Sequence, residues 1–213
     1  MKRILWTLAV GSLLALPAQA KTTARSWSEQ FPSAALRRVD LDIQVGEVLV
    51  SGWDGANVQI EIELQCERGA SRCRQAAAEA KLVTSTDNGT LRVHIEEWPH
   101  FFGKGLTASV QVQMPRSLAL NLDLGVGAVR VAGLENDVRT DVGVGEISIS
   151  LAESAVASVS ADTGVGEASL RAGGHRYESS GLISHELQWH QGTGRALVSA
   201  DCGVGEINVT LVP

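Results

Sequence analysis

Four stretches of this chain set an Asp and a Glu at a fixed distance around a Gly-Val-Gly step. They are Asp123-Leu124-Gly125-Val126-Gly127-Ala128, Asp141-Val142-Gly143-Val144-Gly145-Glu146, Asp162-Thr163-Gly164-Val165-Gly166-Glu167 and Asp201-Cys202-Gly203-Val204-Gly205-Glu206, with Ala128 replacing the acid in the first. A shorter echo, Gln44-Val45-Gly46-Glu47, precedes them. On strands stacked about 4.8 Å apart, equivalent carboxylates would stand in columns and repel one another. Such columns could coordinate a hard cation through oxygen ligands. Alternatively, each Asp could accept the backbone N–H of the glycine two residues on, an Asx-turn that shapes the chain locally. The nonapeptide pattern of calcium rolls is absent, so turn-setting is the expectation and no metal site is assigned.

Other candidate chemistry is sparse. Cys66 and Cys73 are the close pair of the three cysteines, and in an oxidising compartment they read as a disulfide. Cys202 falls in an inward slot, where a thiol behaves as a small hydrophobe. Gly-Val-Gly-Glu lacks the Lys and the following helix of a phosphate loop. His185 shares an alternating face with Leu187 and Trp189, a core position, and no Ser, His and Asp arrangement stands out. No catalytic residue and no cofactor is therefore assigned. Trp98, Phe101 and Phe102 lie together on a loop, where aromatics can stack on a glycan or dock a partner. They can equally cap an open sheet end. As a binding surface, the candidates are these aromatics with Asp141, Asp162, Asp201, Glu146, Glu167 and Glu206.

The elements that position these residues follow from alternation. Ile147, Ile149 and Leu151 share one face with Ser148 and Ser150 opposite, which is a half-buried strand. Before the glycines, Val138, Thr140 and Val142 alternate with Arg139 and Asp141. Each repeat thus reads as strand, Gly-Val-Gly corner, strand and return turn, with Gly125, Gly127, Gly143, Gly145, Gly164, Gly166, Gly203 and Gly205 as the corner residues. A glycine there permits positive φ or a close approach of neighbouring backbones. First glycines are 18, 21 and 39 residues apart, the last being two periods with a blurred copy at Ser179-Ser180-Gly181. A period near 20 residues marks a stacked repeat whose units share one continuous core.

Residues 1–20 read as a signal peptide: Lys2 and Arg3, an apolar run over 4–16, and Ala18-Gln19-Ala20 as the cleavage site. That run is too short for a membrane span. Without Lys2 and Arg3, 16 basic side chains face 24 acidic ones, a formal charge of −8 in place of −6. Such a balance argues against nucleic acid or an anionic membrane as partner. The length from Lys21 to Pro213 suits one all-β domain.

Within that domain, residues 21–117 are irregular and 118–213 form regular coils. Lys21–Pro32 is polar, with Trp27 and Phe31 as anchors. Leu41–Val50 and Val58–Leu64 alternate as strands around Gly52-Trp53-Asp54-Gly55. Gln75–Lys81 is rich in helix formers, Asp87-Asn88-Gly89 marks a hairpin, and Leu106–Met114 is a strand stopped by Pro115. The alternating N-terminal strands, the strand ending Gln113-Met114-Pro115 and the Gly-x-Gly coils resemble the bacterial putative-adhesin family of β-strand-repeat proteins. The resemblance implies a β-solenoid at the cell envelope or surface and carries no catalytic residues. The expectation is an all-β solenoid acting without catalysis, as a periplasmic or surface scaffold or adhesin-like surface for an envelope protein or glycan. Its rivals are a carbohydrate-active β-helix enzyme and a divalent-cation-binding β-roll.

Overall fold

The structure is a computed structural model and describes residues 21–99, 105–179 and 185–213. Among the described residues it is all-β apart from one helix and one short 3-10 turn. The elements in order are β1 (Lys21–Pro32), β2 (Arg38–Trp53), β3 (Asn57–Glu67), α1 (Ser71–Glu79), β4 (Lys81–Asp87), β5 (Thr90–Glu96), β6 (Thr107–Pro115), β7 (Ala119–Ala132), β8 (Val138–Ala152), β9 (Val156–Ala172), β10 (His175–Glu178), β11 (His185–Trp189) and β12 (Ala196–Val212). All twelve strands join one mixed sheet, whose main path runs β1-β3-β6-β2-β7-β8-β12-β9-β10.

The long strands run parallel because they are copies of one pattern, and like residues fall beside like. Val138, Thr140 and Val142 are buried, and so are Ile147, Ile149 and Leu151. The interval from Val142 to Ile147 is odd, so the alternation changes phase across residues 143–146. Gly145 absorbs that step at φ +150°, as Gly127, Gly166 and Gly205 do in their own strands. The first glycine of each step serves differently. A Cβ on Gly143 would stand 2.6 Å from the Gly125 carbonyl oxygen, so that position requires a bare backbone.

At this step β2 also changes partners. Its first part, Arg38–Asp42, pairs with β5, whereas Gly46–Trp53 pairs with β6. The sheet therefore splits into two branches. The Asp-bearing halves of the long strands lie between β5 and β11, and the Glu-bearing halves between β6 and β10. Inward residues of both branches, among them Leu41, Leu122, Val48, Val129, Ile147, Val209 and Leu170, belong to one buried cluster.

Several expectations change here. The segment 21–32, read as merely polar, is a full strand that pairs antiparallel with β3, with Trp27 and Phe31 against the core. The strands expected on either side of Gly52-Trp53-Asp54-Gly55 are present as β2 and β3, and β6 lies between them in the sheet. The helix begins at Ser71, four residues before the Ala-rich run, and ends at Glu79. Arg25 donates to the carbonyl of Ala78 at its end and stacks 4.8 Å over Trp27. The Asn88-Gly89 turn has both residues at positive φ, 49° and 78°, which matches the right-handed twist of the β4–β5 hairpin.

The largest correction concerns the 39-residue interval. Its described residues do not form an extra coil. After β9 the chain turns at Gly173-Gly174, and β10 and β11 run antiparallel along the outer side of β9. The last strand, β12, then inserts between β8 and β9, parallel to both. Ser179 lies beside β9, and its amide donates to the Ala168 carbonyl; Ser180, Gly181 and Ser184 lie outside the described residues. Spatial order thus departs from chain order, β8-β12-β9, where a strictly sequential stack would place β9 next to β8.

Candidate functional site

The parallel register gathers the Asp residues into a single outward row. Asp42, Asp123, Asp141, Asp201 and Asp162 follow one another on β2, β7, β8, β12 and β9, and Glu186 on β11 extends the row. His94 on β5 faces Asp42 at the other end. Partial burial and the carboxylates of Asp141 and Asp42 hold the Asp123 carboxyl above its usual range, with Arg139 opposing. Burial, then Glu186 and Asp201, do the same for Asp162. A carboxyl shifted upward is one whose charge costs free energy in the folded state.

These aspartates do not form the expected Asx-turns. Among the described residues, none accepts the N–H of the glycine two positions on. Ser160 donates to Asp162 at 3.4 Å and Ser199 to Asp201 at 3.3 Å, each from two residues earlier on the same strand. The reason is that each Asp sits in extended, laddered backbone, with the distortion placed later at the second glycine. The described residues also hold no converging group of three or more His, Cys, Asp or Glu side chains. A row of like charges on parallel strands is spread out, unlike the cage a hard cation needs.

The Glu row lies on the other branch: Glu47, Ala128, Glu146, Glu206 and Glu167. Between the two rows run the middle valines of the glycine steps, Val126, Val144, Val204 and Val165, in the same register. The last three are 47%, 47% and 54% exposed, although Val142, Ile207 and Ala168 in the same strands are buried. Beside Glu167 and Glu206, a polar groove of about 270 Å³ is lined by Ser169, Arg176, Glu178 and Asn208.

The remaining predicted residues fall elsewhere. Trp98 is partly buried against the core, and Phe101 and Phe102 lie outside the described residues. Cys66 and Cys73 form a disulfide that ties α1 to β3, and Cys202 is free and buried. Sequence reasoning missed two members of the Asp row. Asp42 was legible, since Asp42-Ile43-Gln44-Val45-Gly46-Glu47 is the full repeat with Gln44 for the first glycine. Glu186 carries no repeat signal, because its strand runs the opposite way.

The model of the N-terminal domain of toast_rack (Toast_rack_N, DUF2154) matches residues 17–171. The chain belongs to the Toast_rack_N family. The matched stretch ends within β9, so β10, β11 and the inserted β12 lie beyond it. The Toast_rack_N chain is similar in fold to a putative cell adhesion protein from Clostridium sporogenes, at 13% identity and TM-score 0.52, over 88% of this chain and 99% of that one. A putative adhesin from Bacteroides fragilis aligns over 87% and 97% at 10% identity, and its TM-score of 0.27 lends nothing further. No curated protein matches. Among the described residues, no helix is long and apolar enough to cross a membrane.

Proposed function

We propose that this Toast_rack_N protein is exported to the bacterial cell envelope, as a single domain over 21–213, and works there without catalysis as an adhesin-like binding surface. In this reading residues 1–20 are a removed signal peptide, and the phase step at Gly-Val-Gly is the corner at which each coil of a solenoid passes from one sheet branch to the other. One observation carries it: outward side chains of five long strands are held in common register, so that the Asp, Val and Glu positions each form a row across the sheet, with Ala128 standing in the Glu row. A repeated surface of this kind suits extended contact with a partner. The Cys66–Cys73 disulfide supports an oxidising compartment, and the fold shared with the Clostridium sporogenes protein supports the adhesin-like reading.

The test combines location with activity. Expressed with its leader in a bacterial host, the protein should be recovered from the envelope fraction with an intact mass beginning at Lys21. The purified protein should then bind isolated envelopes saturably and leave a panel of envelope glycans uncut. Retention in the cytoplasm with Met1 in place, or cleavage of a glycan, would overturn the proposal.

A further inference from the structure

The outward rows suggest what kind of partner this surface takes. On the solvent side of the long strands the outward side chains are mostly polar, such as Ser148, Asn208 and Ser169, yet the valine row is apolar, with Val144, Val204 and Val165 exposed and Val126 half-buried. It is also flanked on both sides by carboxylates, Asp123, Asp141, Asp201 and Asp162 toward one branch and Glu146, Glu206 and Glu167 toward the other. Arg139 lies near Asp123 and Arg176 near Glu167, but among the described residues none of these seven carboxylates forms a direct ion pair with Lys, Arg or His. A narrow apolar ridge between two acidic rows is a specific combination. We infer that this ridge docks a cationic amphipathic helix, with its apolar stripe on Val126, Val144, Val204 and Val165 and its basic residues reaching down to the acidic rows on either side.

Spacing and charge select that occupant. Adjacent strands put successive valines about 4.8 Å apart, so the four span about 14 Å. A helix laid across the strands repeats its stripe every 5.4 Å, and over three intervals the mismatch is only about 2 Å. An extended partner in the same direction would present same-side residues about 6.7 Å apart and fall out of step at once. Lys and Arg stems are long enough to cover apolar surface while their charges reach carboxylates beyond it. A second copy of this chain is disfavoured, because it would set acidic rows against acidic rows, and an anionic lipid surface is disfavoured for the same reason. The inference rests on the binding-surface reading above and names the chemistry of its partner.

The experiment uses the mature protein and a synthetic helical peptide of about 18 residues, long enough to be helical in an alanine-rich background. It carries leucine at i, i+4, i+7 and i+11 with lysine on both flanks. Controls are a composition-matched scramble and an oligolysine of equal charge. By titration calorimetry at low salt, the striped peptide should bind at least about tenfold more tightly than either control, and weaken as salt is added. The triple variant Val144→Thr, Val165→Thr and Val204→Thr keeps β-branched residues and the strand preference. It should melt as the parent does and lose at least about tenfold in affinity, and Asp141→Asn with Asp162→Asn and Asp201→Asn should also bind more weakly. Equal binding by oligolysine, full affinity in the threonine variant, or no binding at millimolar peptide would each overturn the inference. If the threonine variant still binds envelopes as the parent does, the proposed function stands and the ridge is not its binding element.

Discussion

Gly145 lies against Gly127 so closely that a Cβ built on Gly145 would overlap the Gly127 carbonyl oxygen. Gly205 bears the same relation to Gly145, Gly166 to Gly205, and Gly127 to Gly46. The glycines thus form a ladder of bare backbone across five strands, each at a positive φ that other residues rarely adopt. Gly145→Val should therefore be severely destabilising. Positive φ alone costs a β-branched residue about 1–3 kcal/mol, and the overlap with backbone adds to it. Ser148→Val, on an outward position three residues later, should change stability by no more than about 0.5 kcal/mol. Chemical denaturation of both variants decides the matter, and equal midpoints would refute the ladder.

The thiols give a second expectation. With Cys66 and Cys73 joined and Cys202 buried against the Gly145 carbonyl at 3.6 Å, an alkylating reagent without reductant should leave the native protein unlabelled. After unfolding, one label should appear by intact mass. Burial also raises the Cys202 thiol above its usual range, which lowers its reactivity further. Rapid labelling of the folded protein would contradict this arrangement.

A third concerns Thr140, whose side chain is fully buried in the Asp-bearing branch and whose hydroxyl has no hydrogen-bond partner. A buried polar atom without a partner costs roughly 1–3 kcal/mol. Thr140→Val removes it at nearly constant shape, so the variant should be more stable by up to about 1 kcal/mol. A lower melting temperature would mean that the hydroxyl is satisfied in solution.

Much of this fold could be read directly from residue patterning. Alternation in Val138–Val142 and Ile147–Leu151 pointed to two strands around a Gly-Val-Gly corner; both stretches are strand, but they belong to one element, Val138–Ala152, whose burial phase changes at the glycines. Patterning does not report which strand lies beside which. Asp201-Cys202-Gly203-Val204-Gly205-Glu206 matches its counterparts in β8 and β9 equally well, so nothing local distinguishes stacking beyond β9 from insertion between the two. That choice is made by the turn at Gly173-Gly174, which sends β10 and β11 back along β9 and fills its outer edge. The candidate site was legible to the same degree. The Asp and Glu columns followed from the repeat, whereas Glu186 entered through antiparallel pairing and the valine row emerged only once exposure was known.

The last prediction concerns the Asp row, where pH and charge variants bear on one question. Asp123 and Asp162 have carboxyls raised by burial and by neighbouring carboxylates. A carboxyl whose folded value exceeds its unfolded value binds protons more tightly when folded, so its contribution to stability falls as pH rises between the two values. These groups therefore oppose folding at neutral pH, and the opposition is relieved as pH falls through their raised values toward the ordinary 3.8. Asp123→Asn combined with Asp162→Asn should raise the melting temperature at pH 7 and flatten its gain as pH is lowered toward the ordinary carboxylate range. Calcium at millimolar concentration should leave the parent's melting temperature unchanged, because binding to the folded state alone would raise it by mass action. A calcium-dependent rise of several degrees that is lost in the double variant would show the carboxylates acting together on a cation, and would replace repulsion as the account of this row.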